Sequence, residues 1–218
     1  MTPNSLTPAL AGLLLLCAFA LLSQRRLAAM VTLIQTEALV LSLAAFAQGF
    51  AQNDDGLYLT GIITLAIKGI LLPIALRRII HRFNLIRAVE TVMPVGLSMM
   101  IGVALIGVAV MAVLPPSLSA VTLTREGLAI ALSIVLLGLL VMTTRRNALS
   151  QVIGFLSTEN GLVLAAIGMP GMPFVAELSV ALLVLLALLV VGVFVFQLRE
   201  HFETLDLGGI EAIERRGR

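Results

Sequence analysis

The chain has 218 residues, 60% of them hydrophobic and only 12% charged, and a mean hydropathy of +1.11. Soluble chains carry about 25% charged residues, so this composition excludes a soluble globular protein, and the lack of any long polar stretch excludes a separate soluble domain. A single cysteine, Cys17, and two well separated histidines, His81 and His201, exclude a disulfide framework and any iron–sulfur, nickel–iron or other metal centre built by this chain alone.

The predicted class is an all-α polytopic membrane protein, one membrane domain over residues 1–218. A span needs about 20 apolar residues, and seven stretches meet that need: Leu6–Leu22, Leu27–Phe50, Leu57–Leu76, Pro94–Leu114, Leu128–Met142, Leu149–Met169 and Phe174–Leu198. The first resembles a signal peptide only superficially. No basic residue precedes its apolar core, and Arg25-Arg26 follow it, which predicts an uncleaved span with its far end anchored in the cytoplasm. Asn53-Asp54-Asp55-Gly56 reads as a turn. Pro115-Pro116-Ser117 ends the fourth span, since proline cannot continue a helix, and Pro170-Gly171-Met172-Pro173 is a tight connection. Ile79–Glu90 is a basic connector, either a short amphipathic helix on the membrane surface or a solvated loop. The tail, residues 199–218, mixes charges with Leu205, Leu207, Ile210 and Ile213; it either docks on a cytoplasmic partner or frays.

Basic residues fall on one side. The loops with Arg25 and Arg26, with Arg77, Arg78, Arg82 and Arg87, and with Arg145 and Arg146 share that side with Arg199, Arg215, Arg216 and Arg218 of the tail; the other side has only Arg125. The positive-inside rule then predicts a multi-pass membrane protein, N-terminus outside and C-terminus cytoplasmic. The same bias explains the pI of 9.3 with membrane lipid, and no nucleic acid, as the surrounding partner.

The chain also repeats itself. Arg25-Arg26 ends span one and Thr36-Glu37 lies in span two; Arg145-Arg146 ends span five and Thr158-Glu159 lies in span six, offsets of 120 and 122. The repeat divides the chain into a first three-helix unit (6–78), a connector with the fourth span (79–120), a second three-helix unit (126–198) and the tail. An odd span between the units makes the repeat parallel, whereas inverted repeats mark many alternating-access carriers.

Three ionisable residues lie near mid-span: Glu37, Lys68 and Glu159. A charge at that depth costs roughly 2.5–3.5 kcal/mol on insertion scales, so each is expected against a partner or a wet path. Glu37 and Lys68, on adjacent antiparallel helices, read either as a structural ion pair or as a pair that exchanges a proton or an ion. Glu159 has no basic residue near its depth within its own unit. It reads as a protonatable station with Asn160, Thr158 and Ser157 beside it, or as a neutral acid that glues helices through a hydrogen bond. Gln35 and Gln151 add polar groups on nearby turns. Glu177, at the start of span seven, reads as an interfacial helix-start residue. Pro73 leaves a carbonyl near Gly69 without its usual donor, which predicts a distortion and a polar spot beside Lys68. Gly154 and Gly161 share a face suited to close packing.

Two family resemblances rest on these residues. Arg145-Arg146-Asn147-Ala148-Leu149, Ile153-Gly154 and Asn160, with Glu126-Gly127-Leu128 before them, resemble the small three-helix K subunit of respiratory complex I over the last three spans. Lys68 with Leu71-Leu72-Pro73, Arg146-Asn147, Glu159-Asn160-Gly161 and Thr204-Leu205-Asp206 resemble the hydrogenase-4 component E family over nearly the whole chain. That second resemblance implies a non-catalytic membrane subunit of a group 4 energy-converting nickel–iron hydrogenase, of the hydrogenase-4 or formate hydrogenlyase type, or of a related complex. Its implied partners are antiporter-like and other membrane subunits and, through them, a cytoplasmic hydrogenase module. The implied role is proton or cation translocation coupled to electron transfer in the prokaryotic inner (cell) membrane, and no cofactor of its own is implied. The chain departs from the K subunit at two places: the second-helix glutamate position is Leu156, with Glu159 three residues on, and the third-helix position falls near Ala187. Two other readings stand beside this one, a structural spacer whose buried charges fix assembly and a stand-alone transporter of a small solute.

Overall fold

A computed structural model describes residues 3–82, 91–113 and 122–168, all within one unit of the chain, Met1–Leu182. The architecture is all-α and polytopic. Six helices are long and apolar enough to cross a membrane: α1 (Pro3–Ser23), α2 (Leu27–Gln52), a continuous third span (Asp55–His81), α5 (Val95–Val113), α6 (Thr122–Thr144) and α7 (Ala148–Ile167). The predicted seventh span, Glu177, the position near Ala187, the two proline-rich connections and the tail lie outside the described residues.

The third span is not one uniform helix. It runs as α3 (Asp55–Ile63), then a π-helical stretch (Thr64–Leu71), then α4 (Leu72–Arg82). The wide turns end beside Pro73, which has no N–H to offer the Gly69 carbonyl in an α-helical bond. The Gln35 side-chain amide makes up the loss, donating to Gly69 O at 3.0 Å. The distortion and polar spot predicted from Pro73 are both present. Residues 79–82 continue α4, so the first part of the expected surface connector belongs to the third span's helix.

Turn chemistry matches the sequence. α2 stops at Asn53, which adopts the left-handed conformation (φ 51°) and returns its N–H to Gly49 O; asparagine tolerates that region better than most residues. Asp54 then caps α3, its side chain accepting from Gly56 N at 2.8 Å. Asn147 does the same for α7, accepting from Leu149 N at 2.8 Å.

Four helices form a ring in which α1 packs on α2, α2 on α7, α7 on α6 and α6 on α1; the third span lies along α2, and α5 lies along α6 and α1. Glycine sets the closeness of α6 to α7. A Cβ on Gly138 would stand 2.8 Å from Gly154 O, one on Gly154 2.9 Å from Gly138 O, and one on Gly161 2.9 Å from Ala131 O. With backbones this close, packing replaces the hydrophobic drive that lipid cannot supply.

Among the described residues the arginines other than Arg125 gather at one end of this unit. Ends carrying Arg25, Arg77 and Arg145 lie together, as shown by Arg145 bonding to the last carbonyls of α1 and by Val92 N donating to Thr144 O at 2.9 Å. Opposite this arginine end, the unit carries Asp54, Asp55 and Glu126.

Candidate functional site: a buried carboxylate–lysine network

Helix geometry places three charges at one level. Glu37 is the eleventh of 26 residues of α2, Lys68 the fourteenth of 27 in the third span and Glu159 the twelfth of 20 in α7. At 1.5 Å rise per residue, each is near the middle of its helix. All are buried, Glu37 at 0%, Lys68 at 4% and Glu159 at 1% exposure.

Lys68 pairs with Glu159, its Nζ 2.8 Å from Oε1. The sequence sets Lys68 against Glu37, its neighbour in the first unit, and offers Glu159 no base within its own unit; the structure takes the partner of Glu159 from the other unit. The π-helical stretch lies along α2, and from it the Lys68 side chain reaches α7, where the second unit's carboxylate lies. The ammonium also donates to Asn160 Oδ1 at 3.1 Å.

Asn160 is the hub. It accepts from Lys68 through Oδ1 and donates to Glu37 Oε2 through Nδ2 at 3.1 Å. An amide is suited to this because it holds an acceptor and a donor on one rigid plane. Ser157, one turn earlier on the same face of α7, donates to Glu37 Oε1 at 3.2 Å. Both Glu37 oxygens therefore have donors. Glu159 differs: its one polar contact among the described residues is the ammonium, which approaches outside hydrogen-bond geometry, and Oε2 is buried without a partner.

Three predicted supporting residues fall elsewhere. Thr158 returns its hydroxyl to Gly154 O at 3.1 Å and faces α6. Gln151 is exposed at the arginine end and donates to Arg145 O at 2.9 Å. Gln35 reaches the network only indirectly: it holds Gly69 O, next to Lys68, and its Oε1 accepts from the exposed Arg77 at 2.8 Å. Arg77, Gln35 and the Gly69 carbonyl make a polar line from the arginine end to Lys68. At the other end a cavity of about 170 Å³ is lined by Thr7, Gln48 and Glu126 among apolar groups, and the buried Leu41, Ala44 and Ala45 occupy α2 between Gln48 and Glu37.

Sequence reasoning missed Ser157 as a partner of Glu37. Its spacing of three from Asn160 was the available signal, but only the packing of α2 on α7 shows what that face meets. Among the described residues no cluster of histidine, cysteine or carboxylates is arranged to hold a metal.

Over 199 residues the chain is 31% identical to the uncharacterized protein Rv0085 of Mycobacterium tuberculosis, and the match covers 90% of each chain. The chain belongs to the family of that protein. No family model matches the chain, and no solved structure matches it.

Proposed function

We propose that this chain is an integral membrane subunit of a group 4 energy-converting hydrogenase, or of a related complex I-like assembly, and that it contributes to proton or cation translocation coupled to electron transfer. The reading rests on one observation: two carboxylates and a lysine, from three helices and from both predicted units, meet through Asn160 in a buried network at mid-span. Such a cluster is electrically neutral when the ammonium balances one carboxylate and the other carries a proton. A neutral arrangement can be drawn with that proton on Glu37 or on Glu159, so moving it between them creates no lasting buried charge. The unpartnered Glu159 Oε2 is a ready acceptor for it. The resemblance of Lys68, Leu71-Leu72-Pro73 and Glu159-Asn160-Gly161 to the hydrogenase-4 component E family supports the assignment of the parent complex. The distribution of arginines supports a cytoplasmic C-terminus, and the family resemblance supports residence in the prokaryotic inner membrane.

One observation favours a second reading. Lys68–Glu159 ties the third span to α7, which is also what a spacer subunit needs to lock its helices together. Two experiments decide. Affinity purification of the tagged chain from mild-detergent membranes brings down hydrogenase and antiporter-like subunits in fixed ratio if the proposal is right; a lone chain or homo-oligomer overturns it and turns attention to solute uptake. In the purified assembly, Glu159→Gln abolishes coupled ion movement while leaving the subunits together. Unchanged coupling assigns the network to assembly.

A further inference from the structure

The buried network and the cavity at the opposite end of the unit lie on one seam. α2 and α7 both begin beside arginines, Arg26 and Arg145, and run in the same direction. On α2, Glu37, Leu41, Ala44 and Gln48 recur at helical spacing and so share a face; on α7, Ser157, Asn160, Leu164 and Ile167 do the same. At one end of these two stripes Ser157 and Asn160 hold Glu37. At the other end Gln48, Leu164 and Ile167 line the cavity of about 170 Å³.

The cavity reaches deep into the bundle. Leu164 is one turn past Asn160, about 6 Å along the helix axis. Ile130 of α6, also in the lining, is at the same depth, since its neighbour Ala131 presents its carbonyl oxygen 2.9 Å from where a Cβ on Gly161 would lie. The mouth carries the exposed Glu126, whereas Leu164 and Ile167 in the depth are 4% and 1% exposed. Waters need about 30 Å³ each and polar partners; the volume holds several, and Thr7, Gln48 and Glu126 supply partners. The Glu126 carboxylate and the carbonyl end of α7, which stops at Ile167, both favour cations; Arg125, next to Glu126 in the chain, is not in the lining. Between cavity and network the seam is apolar and closed: Leu41, one turn from Glu37, and Ala44 are both 0% exposed.

We propose that this cavity is a water-filled vestibule that admits a small hydrated cation toward the network, and that Leu41 and Leu164 form the apolar gate that closes it. Each leucine is one turn from a network residue, Leu41 from Glu37 and Leu164 from Asn160, so together they are the last layer a water chain must cross. Apolar constrictions of this kind close a path by shedding water. That an ion goes on to the network rests on the proposed function; that the vestibule is wet and gated does not.

The test is cysteine modification of the full-length protein in membrane fragments open on both faces, with Cys17→Ala as background. The probes are a cationic and an anionic methanethiosulfonate, each rate divided by that with a small thiol in solution; both attack the thiolate, which forms in water and not in lipid. Ile130→Cys should react with the cationic probe at least about ten-fold faster than with the anionic one. It should also outpace, by a similar factor, Leu43→Cys, which is 51% exposed on the apolar outer surface of α2. Glu126→Gln should cut the cationic preference about three-fold or more. Ser157→Cys, 0% exposed beyond the gate, should stay unreactive until Leu41→Ala opens the way; Leu164→Ala makes the same comparison if Leu41→Ala does not fold. Equal rates for Ile130→Cys and Leu43→Cys, no cationic preference, or a Ser157→Cys rate indifferent to both truncations would each overturn the proposal. These rates read water access alone, whereas Glu159→Gln reads coupled ion movement. A dry cavity therefore removes only the vestibule, and unchanged coupling removes only the translocation reading.

Discussion

Lys68 and Glu159 are 2.8 Å apart although 91 positions separate them in the sequence. Breaking a buried pair by removing one partner leaves an uncompensated charge and costs about 3–5 kcal/mol. Lys68→Met and Glu159→Leu should each destabilise the protein by that order, read as a shift in the denaturation midpoint in detergent. The double variant should lose less than the sum of the two. Additive losses would mean that the pair does not interact energetically.

Asn160 serves two charged groups at once. Asn160→Leu strips an acceptor from Lys68 and a donor from Glu37, and each orphaned polar group costs about 1–3 kcal/mol. Ser157→Ala removes only one donor to Glu37 and should cost less than Asn160→Leu. Equal effects in the same denaturation assay would remove Asn160 from its place as hub.

The α6–α7 contact predicts opposite outcomes for the same substitution. Gly154→Ala places a methyl 2.9 Å from a backbone carbonyl of α6. A neighbouring backbone must move, at about 1–3 kcal/mol. Gly107→Ala, in α5, meets nothing within 4 Å and should be neutral or stabilising by up to about 1 kcal/mol through helix propensity. Thermal midpoints of the two variants separate the cases.

Gln35 and Pro73 form a testable couple. Gln35→Leu leaves the Gly69 carbonyl without its side-chain donor and should cost about 1 kcal/mol or more. In a Pro73→Ala background the restored N–H offers that carbonyl another donor, so Gln35→Leu should cost less. A cost independent of residue 73 would show that proline does not create the need for Gln35.

Orientation has its own test. With Cys17 replaced by alanine, a cysteine at the exposed Glu126 position should react with a membrane-impermeant maleimide in whole cells. One at the exposed Arg146 position should react only after permeabilisation, as the arginine bias predicts. The reverse pattern would invert the assigned topology.

Much of this was legible in the chain because bilayer chemistry is local. Apolar runs of span length mark the helices, Asn53-Asp54 marks where α2 stops and α3 starts, and Pro73 forecasts the irregular third span, since each acts through its own backbone. Glu37, Lys68, Glu159 and Asn160 stood out for the same reason: a charge or amide at that depth is costly whatever surrounds it. What each one touches was not legible. The sequence pairs Lys68 with Glu37 by adjacency, whereas the π-helical turns and the packing of α2 on α7 hand it to Glu159 and place Asn160 between the carboxylates. Arg145 reads in the sequence as one more loop cation, yet it is buried as the cap of a helix more than a hundred residues away. Composition and periodicity determine which groups must be satisfied inside the membrane. Which partners satisfy them is a non-local choice, made only when the helices pack.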